Sequence, residues 1–289
     1  MRRACIDIGS NTIRLLVADC EHGQLQEIHQ ERAFTRIGDA IRHTGWLTAG
    51  KLDEVAEVVR GQLDSAHRAG ATEVRCVATA SVRRASNGEQ LVAAVHRSCA
   101  GLEVEVLSGV DEARLAFTGA ARTLERDPGG PLGVVDVGGG SSELAVGTPP
   151  DGVTWWVSVP LGTGDLADAC LRSDPPSARE LADARDRVRG VLADLRPPPA
   201  TLAVAVGGSA TSLRQLAGPV LDPTAIRVAL QTLCSTTAAE VARRFALPAE
   251  RVTLLPAGLL ILEAVSTLLQ APLQIGRGGL REGILLEGA

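Results

Sequence analysis

Cys5-Ile-Asp-Ile-Gly-Ser-Asn-Thr-Ile-Arg-Leu-Leu-Val17 and Val134-Val-Asp-Val-Gly-Gly-Gly-Ser-Ser-Glu-Leu-Ala-Val146 are two versions of one phrase. Each is an apolar strand, an acidic residue, a turn of small residues and a second apolar strand, the pattern of a hairpin whose turn exposes backbone N–H groups. Aligned, Asp7 falls on Asp136, Gly9 on Gly138, Leu15 on Leu144 and Val17 on Val146, while Ser10-Asn11-Thr12 faces Gly139-Gly140-Ser141. Small residues let a loop approach phosphate oxygens closely, and Ser, Asn and Thr add short polar donors. Turn formation alone accounts for one such hairpin as well as ligand binding does. Two of them, each with an acid in front, read as a phosphate clamp with two jaws.

The flanking sequence repeats the duplication. Strands are expected at 4–9 and 13–20 and over 25–37, followed by a turn-rich stretch from 38 to 50. A helix over 48–69 with Thr48 as N-cap, strand 73–79, helix 88–99, strand 102–107 and helix 111–124 complete a first α/β unit. Asp127-Pro128-Gly129-Gly130-Pro131 is the clearest turn cluster, and strands 132–138, 142–147 and 153–159 restart the pattern behind it. A charged amphipathic helix over 177–195 ends at Pro197-Pro198-Pro199, which reads as a spacer into strand 201–206. From 209 to 270 the pattern is almost wholly helical, and a short strand at 273–275 precedes the glycine-rich Arg277 to Gly283. The expectation is an α/β protein of two lobes, 1–124 and 125–280, with residues 281–289 packing back on the first lobe and a cleft between the two.

Composition narrows the partners. The chain has 289 residues, 45% of them hydrophobic, with three Phe, three Trp and no Tyr, so its core must be aliphatic and base stacking is an unpromising binding mode. A formal charge of −5 argues against a nucleic-acid coat or a membrane-surface protein, yet leaves room for an anion held by local arginines. Six cysteines without a Cys-x-x-Cys pair read as buried reduced thiols of a cytoplasmic protein. Met1-Arg2-Arg3 imitates a signal peptide, but Asp7, Asn11 and Arg14 interrupt the apolar stretch behind it. The apolar window 254–269 reads as too short to cross a bilayer. The helices between 225 and 270 serve either an interior or a homodimer face.

Several residues can carry chemistry. Asp136 and Glu143 flank the second hairpin, so both carboxylates can end near its mouth, and Glu112 opens a helix just before that unit. Breaking a phosphoanhydride needs a divalent cation on the phosphoryl oxygens and a carboxylate to orient or deprotonate water, and three acids suffice for both. The alternative for Glu112 is a carboxylate favoured by the helix dipole. Gly207-Gly208-Ser209 follows a strand and opens a helix, where free amides attract an anion. Arg83 follows a strand end and can hold phosphate oxygens in a bidentate fashion. Arg84 reads as solvated, Arg36 is open on chemistry alone, and none of the five histidines is assigned to catalysis.

These residues carry a resemblance. Asp7-Ile-Gly-Ser-Asn-Thr-Ile-Arg14, Ala78-Thr79 with Arg83 and Asn87, Ser108-Gly-Val-Asp-Glu112-Ala-Arg114-Leu, Asp136-Val-Gly-Gly-Gly-Ser-Ser-Glu143, Pro160-Leu-Gly162, Gly207-Gly-Ser-Ala-Thr211 and Gly279-Leu-Arg281-Glu-Gly-Ile-Leu285 occur in this order. Together they resemble the exopolyphosphatase and guanosine pentaphosphate phosphatase (Ppx/GppA) family of the actin-like superfamily, in a short two-domain form. The resemblance implies two actin-like, ribonuclease H-like lobes that take polyphosphate, or guanosine tetra- or pentaphosphate, into the cleft between them. It implies Glu112 as the base for water, and Asp136 with Glu143, and Asp7 as a further candidate, as ligands of Mg²⁺ or Mn²⁺. Ser10, Asn11, Arg83, Gly138, Gly139, Gly140, Ser141, Gly207, Gly208 and Ser209 would hold phosphate, and orthophosphate would leave the chain end.

Gly-Gly-Ser at 207–209 stands where many relatives have Gly-Gly-Thr, which keeps the hydroxyl. Longer members add C-terminal helical domains that help bind long polymers, so processive action on very long chains is not part of the expectation. Two other readings remain: an ATP-dependent kinase or ATPase of the same fold, and a sensor that binds the alarmone or polyphosphate without hydrolysis. A sugar kinase normally places a catalytic Asp in the cleft, whereas Glu112 occupies a Glu-Ala-Arg-Leu context here.

Overall fold

The computed structural model describes residues 1–287. The first half runs β1 (Arg2–Ile8), β2 (Thr12–Glu21), β3 (Gln24–Phe34), α1 (Ile37–Thr44), α2 (Ala49–Arg68), β4 (Glu73–Ala78), α3 (Ala80–Arg84), α4 (Gly88–Ser98), β5 (Val104–Val106) and α5 (Gly109–Arg122). The second runs β6 (Leu132–Val137), β7 (Ser142–Thr148), β8 (Gly152–Val159), α6 (Thr163–Cys170), α7 (Ala178–Leu192), β9 (Leu202–Val206), α8 (Gly207–Ala217), β10 (Val220–Leu221), α9 (Pro223–Ser235), α10 (Ala238–Phe245), α11 (Ala249–Val252), α12 (Leu255–Leu269), β11 (Leu273–Ile275) and α13 (Leu280–Leu286).

The duplicated phrase makes duplicated hairpins. β1 pairs antiparallel with β2 and parallel with β4, as β6 does with β7 and β9. The sheets read β3-β2-β1-β4-β5 and β8-β7-β6-β9-β11-β10, the same arrangement with one extra edge strand in the second. Register places Asp7 opposite Arg14 and Asp136 opposite Glu143. The central strands are apolar at nearly every position because both their faces are covered. Along β1 and β2, Ile6, Ile8, Ile13 and Leu15 enter one core, while Cys5, Leu16 and Ala18 enter another on the opposite face.

Short helices escaped the sequence reading. The stretch 38–50 was expected as turns, yet it holds α1, bracketed by left-handed Arg36 and Gly45. α3 and α6 are also short, and eight residues or fewer display too little of a 3.6-residue period to stand out. Long helices with explicit caps stood out: the Thr48 side chain accepts from Lys51 N, and Ser177 and Glu180 form a capping box.

α5 belongs to both halves. Ala113, Ala116, Phe117 and Ala120 pack with Leu132, Val134 and Ala145 of the second sheet, while Leu115 joins Cys5, Leu16, Ile284 and Leu285. A boundary at 124 therefore separates this helix from the sheet that one of its faces covers. α13 crosses α5 and also packs on β1 and β2, so residues 281–287 lie on the first lobe; 288 and 289 fall outside the described residues. At the crossing the backbones nearly touch. A Cβ on Gly119 would lie 2.0 Å from the Gly279 carbonyl oxygen, and one on Gly283 would lie 1.9 Å from that of Leu115.

The apolar helices of the second half fill its core. α12 buries Leu259, Leu260, Ile261 and Leu262, and α9 buries Ile226, Ala229, Leu230 and Leu233. The helical run Ala249–Leu269 is 21 residues, long and apolar enough to cross a membrane by length and composition, unlike the shorter window read from sequence. Here much of it packs in the core. All six cysteines are free.

Candidate active site

The ends of both hairpins face one cavity of about 140 Å³. Asp7, Ser10, Asn11, Glu112, Asp136, Gly138 to Ser141, Glu143 and Gly207 to Ser209 all line it. Arg83 does not. Its Nη1 donates to Glu112 Oε1 at 2.6 Å and also to the Leu107 carbonyl, so the arginine expected to hold phosphate pairs with the carboxylate expected to act as base.

Local structure explains the loops. The Gly138 amide donates to the Ser141 carbonyl, and the Gly138 and Gly139 carbonyls accept from Thr163 and Gly164 at the start of α6. Among the described residues the Gly139 and Gly140 amides donate to no protein acceptor, which leaves them free for a ligand. The third motif is not a separate loop: Gly207, Gly208 and Ser209 are the first turn of α8, where amides lack intrahelical acceptors. Gly207 has φ 83°, and a Cβ there would lie 2.2 Å from Asp136 Oδ1, so only glycine fits. Within the first half, Ser81 Oγ donates to Ser10 Oγ.

Carboxylates line the cavity. Glu112 and Glu143 are 5% and 4% exposed, and Asp7 Oδ1 is buried without a hydrogen-bond partner. Burial raises Glu112 well above the carboxylate range, with the Glu143 charge adding to the shift and Arg83 opposing it. Burial and then the Asp136 charge raise Glu143, whose Oε1 accepts from Ser158 Oγ at 2.8 Å. Burial, with Asp7 nearby, pushes Asp136 up to about 6. Asp7 is raised by burial against the pull of Arg14. Crowded carboxylates of this kind favour either protons or a cation.

Basic groups line the same cavity, and the sequence reading did not assign them a role. Arg14 is enclosed; burial and then Arg281, Arg251 and Arg32 lower it to about 9. Arg251, 5% exposed, is lowered to about 10 chiefly by burial, and its Nε and Nη2 have no hydrogen-bond partner among the described residues. Arg14, Arg251, Arg277 and Arg281 all line the cavity. Arg14 and Arg251 form no ion pair among the described residues and repel one another, which an anion would relieve, whereas Arg277 pairs with Glu125 and Arg281 lies 3.9 Å from Glu282. Arg14 stood inside the first phrase, and Arg281 in the last motif. Arg251 lies in an unremarkable Pro-Ala-Glu-Arg-Val stretch and carried no signal.

Arg84 and Arg36, read as solvated or open, both reach the second half. Arg84 Nη1 donates to Asp165 Oδ2 at 2.9 Å and to the Gly140 carbonyl at 3.1 Å, and Arg36 lies 3.6 Å from Glu250.

Comparison with known proteins agrees with this geometry. A family model described as the Ppx/GppA phosphatase family matches residues 16–289. Exopolyphosphatase 1 of Mycobacterium leprae (strain TN) is 31% identical over 304 aligned positions, covering 99% of this chain and 89% of that protein. Exopolyphosphatase 2 of Mycobacterium tuberculosis is 32% identical over 84% of this chain and 79% of its own length. The PPX-GPPA enzyme of Aquifex aeolicus has a similar structure, with TM-score 0.82 and 29% identity over 99% of both chains. An exopolyphosphatase of Cytophaga hutchinsonii, 20% identical, has the same fold at TM-score 0.86 over 100% of this chain and 99% of its own. With the paired loops, the gathered carboxylates and a match over nearly its whole length, the chain belongs to the Ppx/GppA phosphatase family.

Proposed function

We propose that this protein is a cytoplasmic exopolyphosphatase, which hydrolyses the terminal phosphoanhydride of linear polyphosphate and releases orthophosphate. The observation that carries this reading is the cavity itself: two hairpin loops and a helix start with available amides, a buried carboxylate held by an arginine, and four further arginines in the lining. The terminal phosphate rests against Ser10, Asn11, Gly138 to Ser141 and the first turn of α8. Glu112 takes a proton from water as the water oxygen bonds to phosphorus, and the bridging P–O bond breaks with its electron pair on the shortened chain. Arg83 orients Glu112. The following phosphates run toward Arg14, Arg251 and Arg281.

A divalent cation fits the carboxylates of the cavity. The orphaned Asp7 Oδ1 and the raised carboxyl groups of Asp136 and Glu143 call for positive charge. No group of three or more His, Cys, Asp or Glu side chains among the described residues is arranged to enclose a metal. That suits Mg²⁺, which keeps waters and phosphate oxygens among its ligands and takes one or two carboxylates. Asp136 and Glu143 would hold it, with Asp7 behind them and Mn²⁺ as an alternative ion. When bound it neutralises charge on the phosphoryl oxygens.

Guanosine pentaphosphate is the second substrate of the same cavity, since its 5′ end offers the same phosphoanhydride. Phosphate release from linear polyphosphate and from guanosine pentaphosphate, measured at equal concentration with Mg²⁺, tests the order, and polyphosphate is expected to be faster. No release from either overturns the reading, as does turnover of ATP that needs a sugar or acid acceptor.

A further inference from the structure

Asp165, in the first turn of α6, lies outside the machinery described so far, yet it touches three parts of it. Its Oδ2 accepts from Arg84 at the end of α3, and its Oδ1 accepts from Arg42 of α1 at 3.3 Å. Its amide donates to the Gly139 carbonyl at 3.3 Å, beside the Gly164 amide at 2.9 Å. Both arginines come from the first half of the chain, and Gly139 is the tip of the second hairpin. Arg84 also donates to Gly140, so the same guanidinium grips the carboxylate and the loop. Arg42 is only 13% exposed and Asp165 only 17%, which shields the contact from solvent more than an ordinary surface pair. Arg42 also pairs with Asp39 on its own helix and lies 3.8 Å from Asp168 of α6.

We propose that Asp165 is a positioning residue: clasped by Arg42 and Arg84 across the cleft, it keeps the two halves closed and orders the Gly138–Ser141 loop for phosphate. The rate claim rests on the phosphohydrolase reading; the structural claim does not. With the clasp formed, the loop carbonyls are committed to α6 and Arg84, and the free amides of Gly139 and Gly140 keep their aim at the cavity. With the clasp lost, no other hydrogen bond among the described residues ties the Gly140 carbonyl to the first half.

The test uses the full chain and Asp165→Asn, which keeps size and removes charge. Amide hydrogen exchange is expected to speed up about tenfold in peptides spanning 138–145 and 162–168, while peptides of α2 and α4 keep wild-type rates. Polyphosphatase kcat/KM is expected to fall about tenfold, mostly through KM, and more steeply dependent on salt in wild type than in the variant. Arg84→Gln should reproduce both effects and add nothing in the double variant, whereas Arg84→Lys should restore part of them. Unchanged exchange in the two peptides overturns the clasp, and so does a general acceleration that includes α2 and α4. Faster local exchange with unchanged kcat/KM overturns the positioning role. If wild type releases phosphate from neither substrate, the hydrolase reading fails alone and the exchange result still decides the clasp.

Discussion

Arg83 stabilises the ionised form of Glu112, while burial and the Glu143 charge work against it. A base acts when ionised, so the rate rises as pH passes its pKa, and losing Arg83 moves that rise to higher pH. Arg83→Ala should therefore shift the acid limb of the kcat/KM profile upward, with Arg83→Lys in between; a phosphate clamp would instead raise KM and leave the limb in place. Glu112→Gln should lower phosphate release by about 10²–10⁴-fold, the usual weight of a general base. Stopped assays over pH 5 to 9 read both. At this scale the acids, glycines and Ser10 were legible because a motif bundles them within a few positions. Arg251 was not, since only the packing of α11 against the first hairpin's cavity brings it beside Arg14, and no local pattern encodes that. The reach of Arg83 to Leu107 and Glu112 was not legible either, because it depends on how β5 and α5 are placed.

At the scale of elements, the crossing of α5 and α13 fixes where Glu112 stands. A methyl group on Gly119 would meet the Gly279 carbonyl, so the helices must separate. Gly119→Ala should cost about 1–3 kcal/mol, as overpacking does, and should slow phosphate release because the helix that carries the base moves. Urea unfolding followed by circular dichroism gives the first number, and kcat the second. Elements with strong period or caps, such as β1, β2, α2 and α7, could be read from the chain almost residue for residue. α1, α3 and α6 could not: each is short, and each is specified by what it docks on more than by its own pattern. These three helices supply Arg42, Arg84 and Asp165, so the contacts between the halves hid where the sequence signal was weakest.

For the whole molecule, carboxyl groups raised by burial set the pH dependence of stability. Glu112, Glu143, Asp136 and Asp7 hold protons in the folded state at pH values where the unfolded chain has released them. More protons on the native state means that stability falls as pH rises, from about 4, the ordinary carboxylate value, through the raised values. In metal-free buffer the unfolding temperature should decline between pH 5 and pH 8. Mg²⁺ should restore it at pH 8 and do little at pH 5, and Glu112→Gln should be more stable than wild type at pH 8. Differential scanning fluorimetry across this grid checks all three.

The two-lobed α/β plan was legible because the hairpin phrase occurs twice; the sharing of α5 was not, since a helix does not announce that both its faces will be covered. The last helix has its own consequence for how the chain is made. Ile284 and Leu285 complete the core that holds Cys5 and Leu16, and Arg3 donates to the Leu285 carbonyl. A ribosome therefore releases the first strands long before their final neighbours exist. Until residues 284 and 285 have been made, the sheet face that carries Cys5 and Leu16 is covered only in part, by Leu107 and by Leu115 of α5.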